Sequence, residues 1–198
     1  MKKILSLFVL LAFALVPFMV YAVGPTAVTA TYNLNNPRAT YGYVEIGATP
    51  VSACTDLAVL YGSATKTIKI KKVTIEQAST SAGAVLNVSL VKRTAVNTGG
   101  TTTTTATISK FDSGNATVTA SPVLYTANAS ALGAGTSIAE GSLVFSTTNP
   151  NKVVFNFTEG NGTPVTLRGV AQGLALYLNA QTKPSGGTVS ISYEFEEL

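Results

Sequence analysis

From residue 65 onward, apolar and polar positions alternate in short stretches separated by Gly, Asn, Pro and Ser. That two-residue period marks half-buried strands, and no segment carries a helical period. In the stretch 66–76, Ile68 and Ile70 share one face, whereas Val73 and Ile75 fall on the other if the strand is regular. A β-bulge near Lys71-Lys72 inserts one residue and returns all four side chains to one side. The stretch 84–93 sets Leu86, Val88 and Leu90 on one face. The short polar link 78–83 then predicts that these two strands pair with each other. Residues 97–105 form a Thr and Gly run without an apolar anchor and read as an exposed loop. Strands are expected at 106–111, 116–120 and 123–125, with Asp112-Ser113-Gly114-Asn115 as a turn, and 127–139 reads as a second long loop.

The last third of the chain carries the clearest pattern. Val153, Phe155 and Phe157 alternate, 159–162 supplies turn residues, and Val165 and Leu167 resume the alternation, which together predict a hairpin. Leu174, Leu176 and Leu178 share a face. After a turn at 184–187, Val189, Ile191, Tyr193 and Phe195 face in while Ser190, Ser192, Glu194 and Glu196 face out. Each large apolar side chain contributes about 1.5–3 kcal/mol on burial, so this strand belongs at the centre of the core. About eight or nine strands with no helix to cover a parallel sheet point to an all-β fold, an antiparallel β-sandwich of two sheets. A jelly-roll-like arrangement is the first choice. An immunoglobulin-like sandwich is the runner-up, and it lacks here the paired cysteines and the tryptophan that would favour it.

The N-terminus stands apart from this pattern. Lys2 and Lys3 precede the apolar run 4–16, and Val20-Tyr21-Ala22 suits cleavage, so a secretory signal peptide cut after Ala22 is predicted. The competing reading is a retained anchor, but a run interrupted by Pro17 is short of the about 20 residues a spanning helix needs. No later stretch is apolar enough to span a bilayer. The chain thus divides into a signal peptide over 1–22, an N-terminal arm over 23–52 and a sandwich domain over 53–198. The arm contains Pro25, Pro37 and Pro50 and at most short strands such as 41–46. The expected location is secreted, extracellular or periplasmic.

Charged residues make up 11% of the 198, against about a quarter in an average soluble domain. Without Lys2 and Lys3, the 13 basic residues become 11, set against 9 acidic ones. Only Lys66, Lys69, Lys71 and Lys72 cluster, on a strand where they read as a solvated face or a guarded sheet edge, so no nucleic-acid partner is expected. Cys54 is the sole cysteine and reads as a small buried hydrophobe, with an intermolecular disulfide as the sharper alternative.

The chain has no histidine, which removes Ser-His-Asp and Cys-His catalysis and the common zinc sites. Glu194 and Glu196 would lie about 6.6 Å apart on one strand face, a spacing glycoside hydrolysis can use, yet they read as a solvated rim. Asp112 and Asn115 offer oxygen ligands for calcium, although turn chemistry alone explains them. No catalytic, cofactor-binding or metal-binding residue is therefore assigned, and a non-enzymatic role is expected.

Four blocks, TDLAVLYGSATKTIKI at 55–70, LVKR at 90–93 with NTGGT at 97–101, VTLRGVAQGLA at 165–175 and ISYEFEE at 191–197, resemble small structural proteins of tailed bacteriophages and prophages. The resemblance runs from about residue 53 to the C-terminus. It implies a virion-associated β-sandwich, a decoration or fibre-associated subunit, and it transfers no active residue. A signal peptide departs from that family, whose particles assemble in the cytoplasm, and it keeps a cell-surface structure in view. The expected function is an exported structural subunit that assembles into or decorates a larger particle, with itself or other particle subunits as partners. The alternative is an extracellular carbohydrate-binding or adhesive module for a surface glycan, with Tyr32, Tyr41, Tyr43 and Tyr61 as its aromatic faces.

Overall fold

The computed structural model describes residues 40–78, 83–103, 106–148, 151–159, 162–181, 184 and 186–198. The expected signal peptide and the arm up to residue 39, with Tyr32, lie outside the described residues. Among the described residues there are twelve strands and no helix. They are β1 (Thr40–Ala48), β2 (Cys54–Tyr61), β3 (Thr67–Gln77), β4 (Ala84–Arg93), β5 (Thr101–Thr103) and β6 (Ser109–Lys110) in the first half. The second half adds β7 (Ser121–Ala127), β8 (Gly135–Phe145), β9 (Lys152–Asn156), β10 (Val165–Arg168), β11 (Gly173–Gln181) and β12 (Val189–Glu197). No helix of these residues is long and apolar enough to cross a membrane.

The strands form two antiparallel sheets. The first runs β6-β1-β12-β3, with β9 and β10 end to end along the far side of β3. The second runs β5-β7-β2-β11-β4-β8. The pairings are nested: β1 lies beside β12, β2 beside β11, β3 beside β9 and β10, and β4 beside β8. The ladders β3 to β12 and β4 to β11 then join the nested pairs into sheets.

The core fills the space between the sheets. Val44 and Ile46 of β1, Ile191, Tyr193 and Phe195 of β12, and Ile68 and Ile75 of β3 meet Leu60, Leu90, Leu174 and Leu176 of the second sheet in one buried cluster. The hydroxyl of Tyr193 donates to the carbonyl of Leu174 at 3.3 Å, bridging the two sheets. The expected bulge is present: Glu194 faces Lys72 while Phe195 faces Ile70, leaving Lys71 as the extra residue. Ile68, Ile70, Val73 and Ile75 are all fully buried as a result.

Several expectations are corrected. Strands β3 and β4 do not pair; the link between them carries the chain from one sheet to the other. The segments 153–157 and 165–167 do not form a hairpin, because β9 and β10 both lie antiparallel to β3 and run in the same direction along it. Strand β8 covers residues read as a loop or left unassigned. Within 106–120, only Ser109 and Lys110 form a strand. Residues 40–48, read as arm with a short strand, form a nine-residue strand paired along its whole length with β12. Its inward positions include Thr40 and Gly42, which hide the apolar alternation.

Gly42 is required by its neighbour, since a Cβ there would stand 2.5 Å from Cζ of Phe195. Gly42→Val is expected to destabilise the fold by about 1–3 kcal/mol through overpacking. Trimming the ring in a Gly42→Val, Phe195→Leu double variant should recover part of that loss, as read by urea denaturation.

Candidate functional site

The second sheet differs from the first in having both faces partly covered. Between β4 and β8, the legs 94–100 and 128–134 of an excursion lie over the outer face of this sheet, while the chain between them contributes β5 and β7 to the same sheet and β6 to the first. The two legs of this excursion hold each other: the N–H of Thr94 donates to the carbonyl of Ala134 at 2.7 Å, and Thr98 and Ala131 exchange both backbone bonds. Beneath them lies a second apolar cluster of Val59, Tyr61, Val91, Tyr125 and Ala175.

A buried ion pair fastens the excursion. Register slips by one residue between Leu176 and Tyr177, which sets Asp56 opposite Tyr177. Asp56 and Arg93 are both buried. The guanidinium of Arg93 donates to the two carboxylate oxygens of Asp56 at 2.6 and 3.0 Å. Its remaining nitrogen donates to the carbonyl of Gly133 at 3.0 Å, and the group lies 5.7 Å from the Tyr177 ring centre. The Asn97 side chain donates to Asp56 at 2.7 Å and accepts from the N–H of Gly133 at 2.8 Å. The N–H of Asn97 donates to the Tyr61 hydroxyl, which lies 3.4 Å from that of Tyr125. Asn97 is thus a buried anchor, not part of an exposed loop. Burial and the neighbouring Tyr61 hydroxyl push the Tyr125 phenol upward, keeping it protonated.

Beside this network opens a pocket of about 540 Å³. Tyr61 and Tyr125 line it together with Val96, Val123 and Val170. Gly99 and Gly100, both at positive φ, and the hydroxyl residues Thr102, Thr119 and Ser121 complete its wall. No lysine, arginine, aspartate or glutamate lines it.

The residues singled out from sequence lie elsewhere. Glu194 and Glu196 face outward on the first sheet, where Glu194 pairs with Lys72 and Glu196 with Lys71 at 3.1 Å. Lys71 also stands 4.5 Å over the Tyr41 ring. Because β3 lies between β12 and β9 or β10, its lysines form a solvated face and not a guarded edge. In the turn after β6, Asp112 accepts from the N–H of Gly114 at 2.8 Å, while the Lys110 ammonium donates to the carbonyls of Ser113 and Asn115 at 3.0 and 2.5 Å. A lysine therefore occupies the carbonyls that a calcium ion would need. Tyr41 and Tyr43 lie on the outer face of the first sheet, and Tyr61 is buried at the pocket.

Sequence reasoning did not single out Asp56, Arg93 or Glu197. Glu197 is fully buried, accepts from the N–H and hydroxyl of Thr119, and lies 3.5 Å from the Lys66 ammonium. Its signal was the inward alternation of β12, which continues from Phe195 to Glu197.

Removing one partner of a buried pair strands the other charge, so Arg93→Ala is expected to cost about 3–5 kcal/mol in denaturant unfolding. Amide exchange should then accelerate in 94–100 and 128–134 more than in β12. Cys54 is buried, and desolvation pushes its thiol from an ordinary value of 9.0 to about 11. A raised value means that the unfolded chain ionises first. The stability this thiol contributes is therefore complete below pH 9.0 and falls as pH climbs toward about 11. Alkaline melting curves should show this decline, and a Cys54→Ala variant should lessen it. Iodoacetamide should label Cys54 only upon unfolding.

No family model, curated protein or solved structure matches the chain.

Proposed function

We propose that the protein is a non-enzymatic exported structural subunit, a jelly roll that assembles with copies of itself into a larger particle or surface structure. The jelly-roll reading rests on the nested pairing of β1 with β12, β2 with β11, β3 with β9 and β10, and β4 with β8. An eight-strand antiparallel hairpin, rolled on itself, gives that order. Jelly rolls build viral capsids and also lectins, so this support is one of fold analogy. The resemblance of residues 53–198 to phage structural proteins points the same way.

The observation that carries the assembly reading is the β8 edge. This strand has eleven residues, ends the second sheet, and contains no lysine, arginine or proline, with Glu140 its one charged residue. Natural edges are usually blunted by such residues or by brevity, as in the two-residue β6. A bulge at Ile138, between Leu90 and Val91 of the facing strand, disturbs only the first part of β8. Ile138 and Val144 are exposed along it. An antiparallel second copy centred on Gly141 would set Ile138 against Val144, with the Val144 N–H exchanging its Asn151 acceptor for the partner strand.

Sedimentation velocity and electron microscopy of the chain lacking residues 1–22 test the reading. Concentration-dependent oligomers are expected. The N–H of Val144 is taken by Asn151 and so points away from β4. Ser142, two residues back, shares that direction, so Ser142→Pro removes no ladder bond and should shift the distribution toward monomer. A strictly monomeric wild-type chain with no affinity for particles or cell envelope would overturn the proposal.

A further inference from the structure

The pocket beneath the excursion has properties that assembly through β8 does not use. Its volume of about 540 Å³ falls within the range of small-molecule sites, about 300–1,000 Å³. We infer that it is a binding site for one neutral pyranose unit of a glycan.

The chemical class follows from what lines the walls. With no charged side chain at the surface of the pocket, neither an anion nor a cation finds a counter-charge there. Arg93 lies behind it, and Asp56 already neutralises that guanidinium. What the pocket offers is mixed. Val96 and Val170 remain 47% and 57% exposed at its rim, and Val123 lies deeper, so the mouth presents apolar surface to water. Tyr61 and Tyr125 line the pocket as buried rings, 6% and 3% exposed, so the apolar surface left for the C–H face of a sugar ring is mainly that of the valines. The hydroxyls of Thr102 and Ser121 and the backbone at Gly99 and Gly100 add short-range donors and acceptors. A purely apolar ligand would leave these polar groups unmatched, whereas vicinal hydroxyls on a ring with an apolar face satisfy both kinds of surface.

The site is also held in place before any ligand arrives. The Tyr61 hydroxyl is fixed by the Asn97 N–H, and Asn97 by Asp56 and Gly133, so one wall is braced by the buried ion pair. Preformed walls reduce the ordering cost of binding.

Saturation-transfer NMR on the chain lacking residues 1–22 is the direct test. The probes are the methyl glycosides of glucose, galactose, mannose and N-acetylglucosamine, with glucuronate and N-acetylneuraminate as charged counterparts. At least one neutral glycoside should bind saturably, and the charged sugars should bind more weakly. Ser121 is exposed at the start of β7, so Ser121→Trp fills the pocket from a tolerant position and should weaken binding about tenfold or more. An unchanged melting temperature for that variant separates a filled pocket from a damaged fold. Should it fail to fold, Val170→Glu at the exposed rim serves the same purpose by setting a charge in the mouth. The inference falls if no neutral glycoside saturates the wild-type chain, if the charged sugars bind better, or if binding survives the pocket-filling variant that folds. Because the readout is sugar contact and not particle size, it stands or falls separately from assembly through β8.

Discussion

A sheet can bury one face only if every strand keeps its two-residue phase, and in β3 that phase holds only because Lys71 is extruded. Without the extra residue, either Ile68 and Ile70 or Val73 and Ile75 would turn to solvent, since a shift of one residue moves every side chain to the opposite face. Strand β3 touches β12 on one side and both β9 and β10 on the other. A phase error there would therefore be passed to three neighbours. The bulge also fixes the outer face, bringing Lys71 and Lys72 alongside Glu196 and Glu194. Packing inside and charge pairing outside follow from the same single inserted residue.

The second sheet solves a different problem. Its outer face carries Val59, Tyr61, Val91 and Ala175, which water would not favour, and the two legs of the excursion, 94–100 and 128–134, lie over them. Thr- and Gly-rich legs have little apolar surface with which to hold themselves down. The ion pair of Asp56 and Arg93 compensates, and its cost of desolvation is offset because every polar atom of the pair finds a partner. Among the described residues no buried side-chain polar atom lacks one. A buried pair of this kind gives less net stability than an apolar packing of equal volume, but it fixes one arrangement of the legs over the sheet.

How much of this was legible depends on whether a feature is local. The inward residues of β12, β4 and β11 and the bulge of β3 each follow from side-chain order within one strand, whereas the burial of Cys54 follows from its residue type alone. Partner choice does not. The short link after β3 suits a hairpin as well as a crossing between sheets, and the turn residues after Phe157 suit a reversal as well as an interruption. Only the competition between whole sheets decides, in favour of β3 pairing with β12, more than a hundred residues away. Strand β1 was obscured because Thr40 and Gly42 stand where apolar residues are expected. Asn97 was obscured because its anchor is one aspartate on β2 and one carbonyl at Gly133, which nothing in a Thr and Gly run announces.

The pocket is a consequence of these unequal sheets. On the outer face of the first sheet the carboxylates of Glu194 and Glu196 pair with Lys72 and Lys71. A concavity needs a second layer that stops short of full contact. The excursion supplies it: Asn97 pins the layer down at the Tyr61 hydroxyl, and Gly99 and Gly100 then turn the chain away at positive φ toward β5 at the sheet edge. Between the pinned point and the edge the pocket opens, with half-buried Val123 in its wall and Tyr125 buried behind it. The same ion pair that makes the excursion rigid therefore also determines where it fails to cover the sheet, and that is where a ligand can enter.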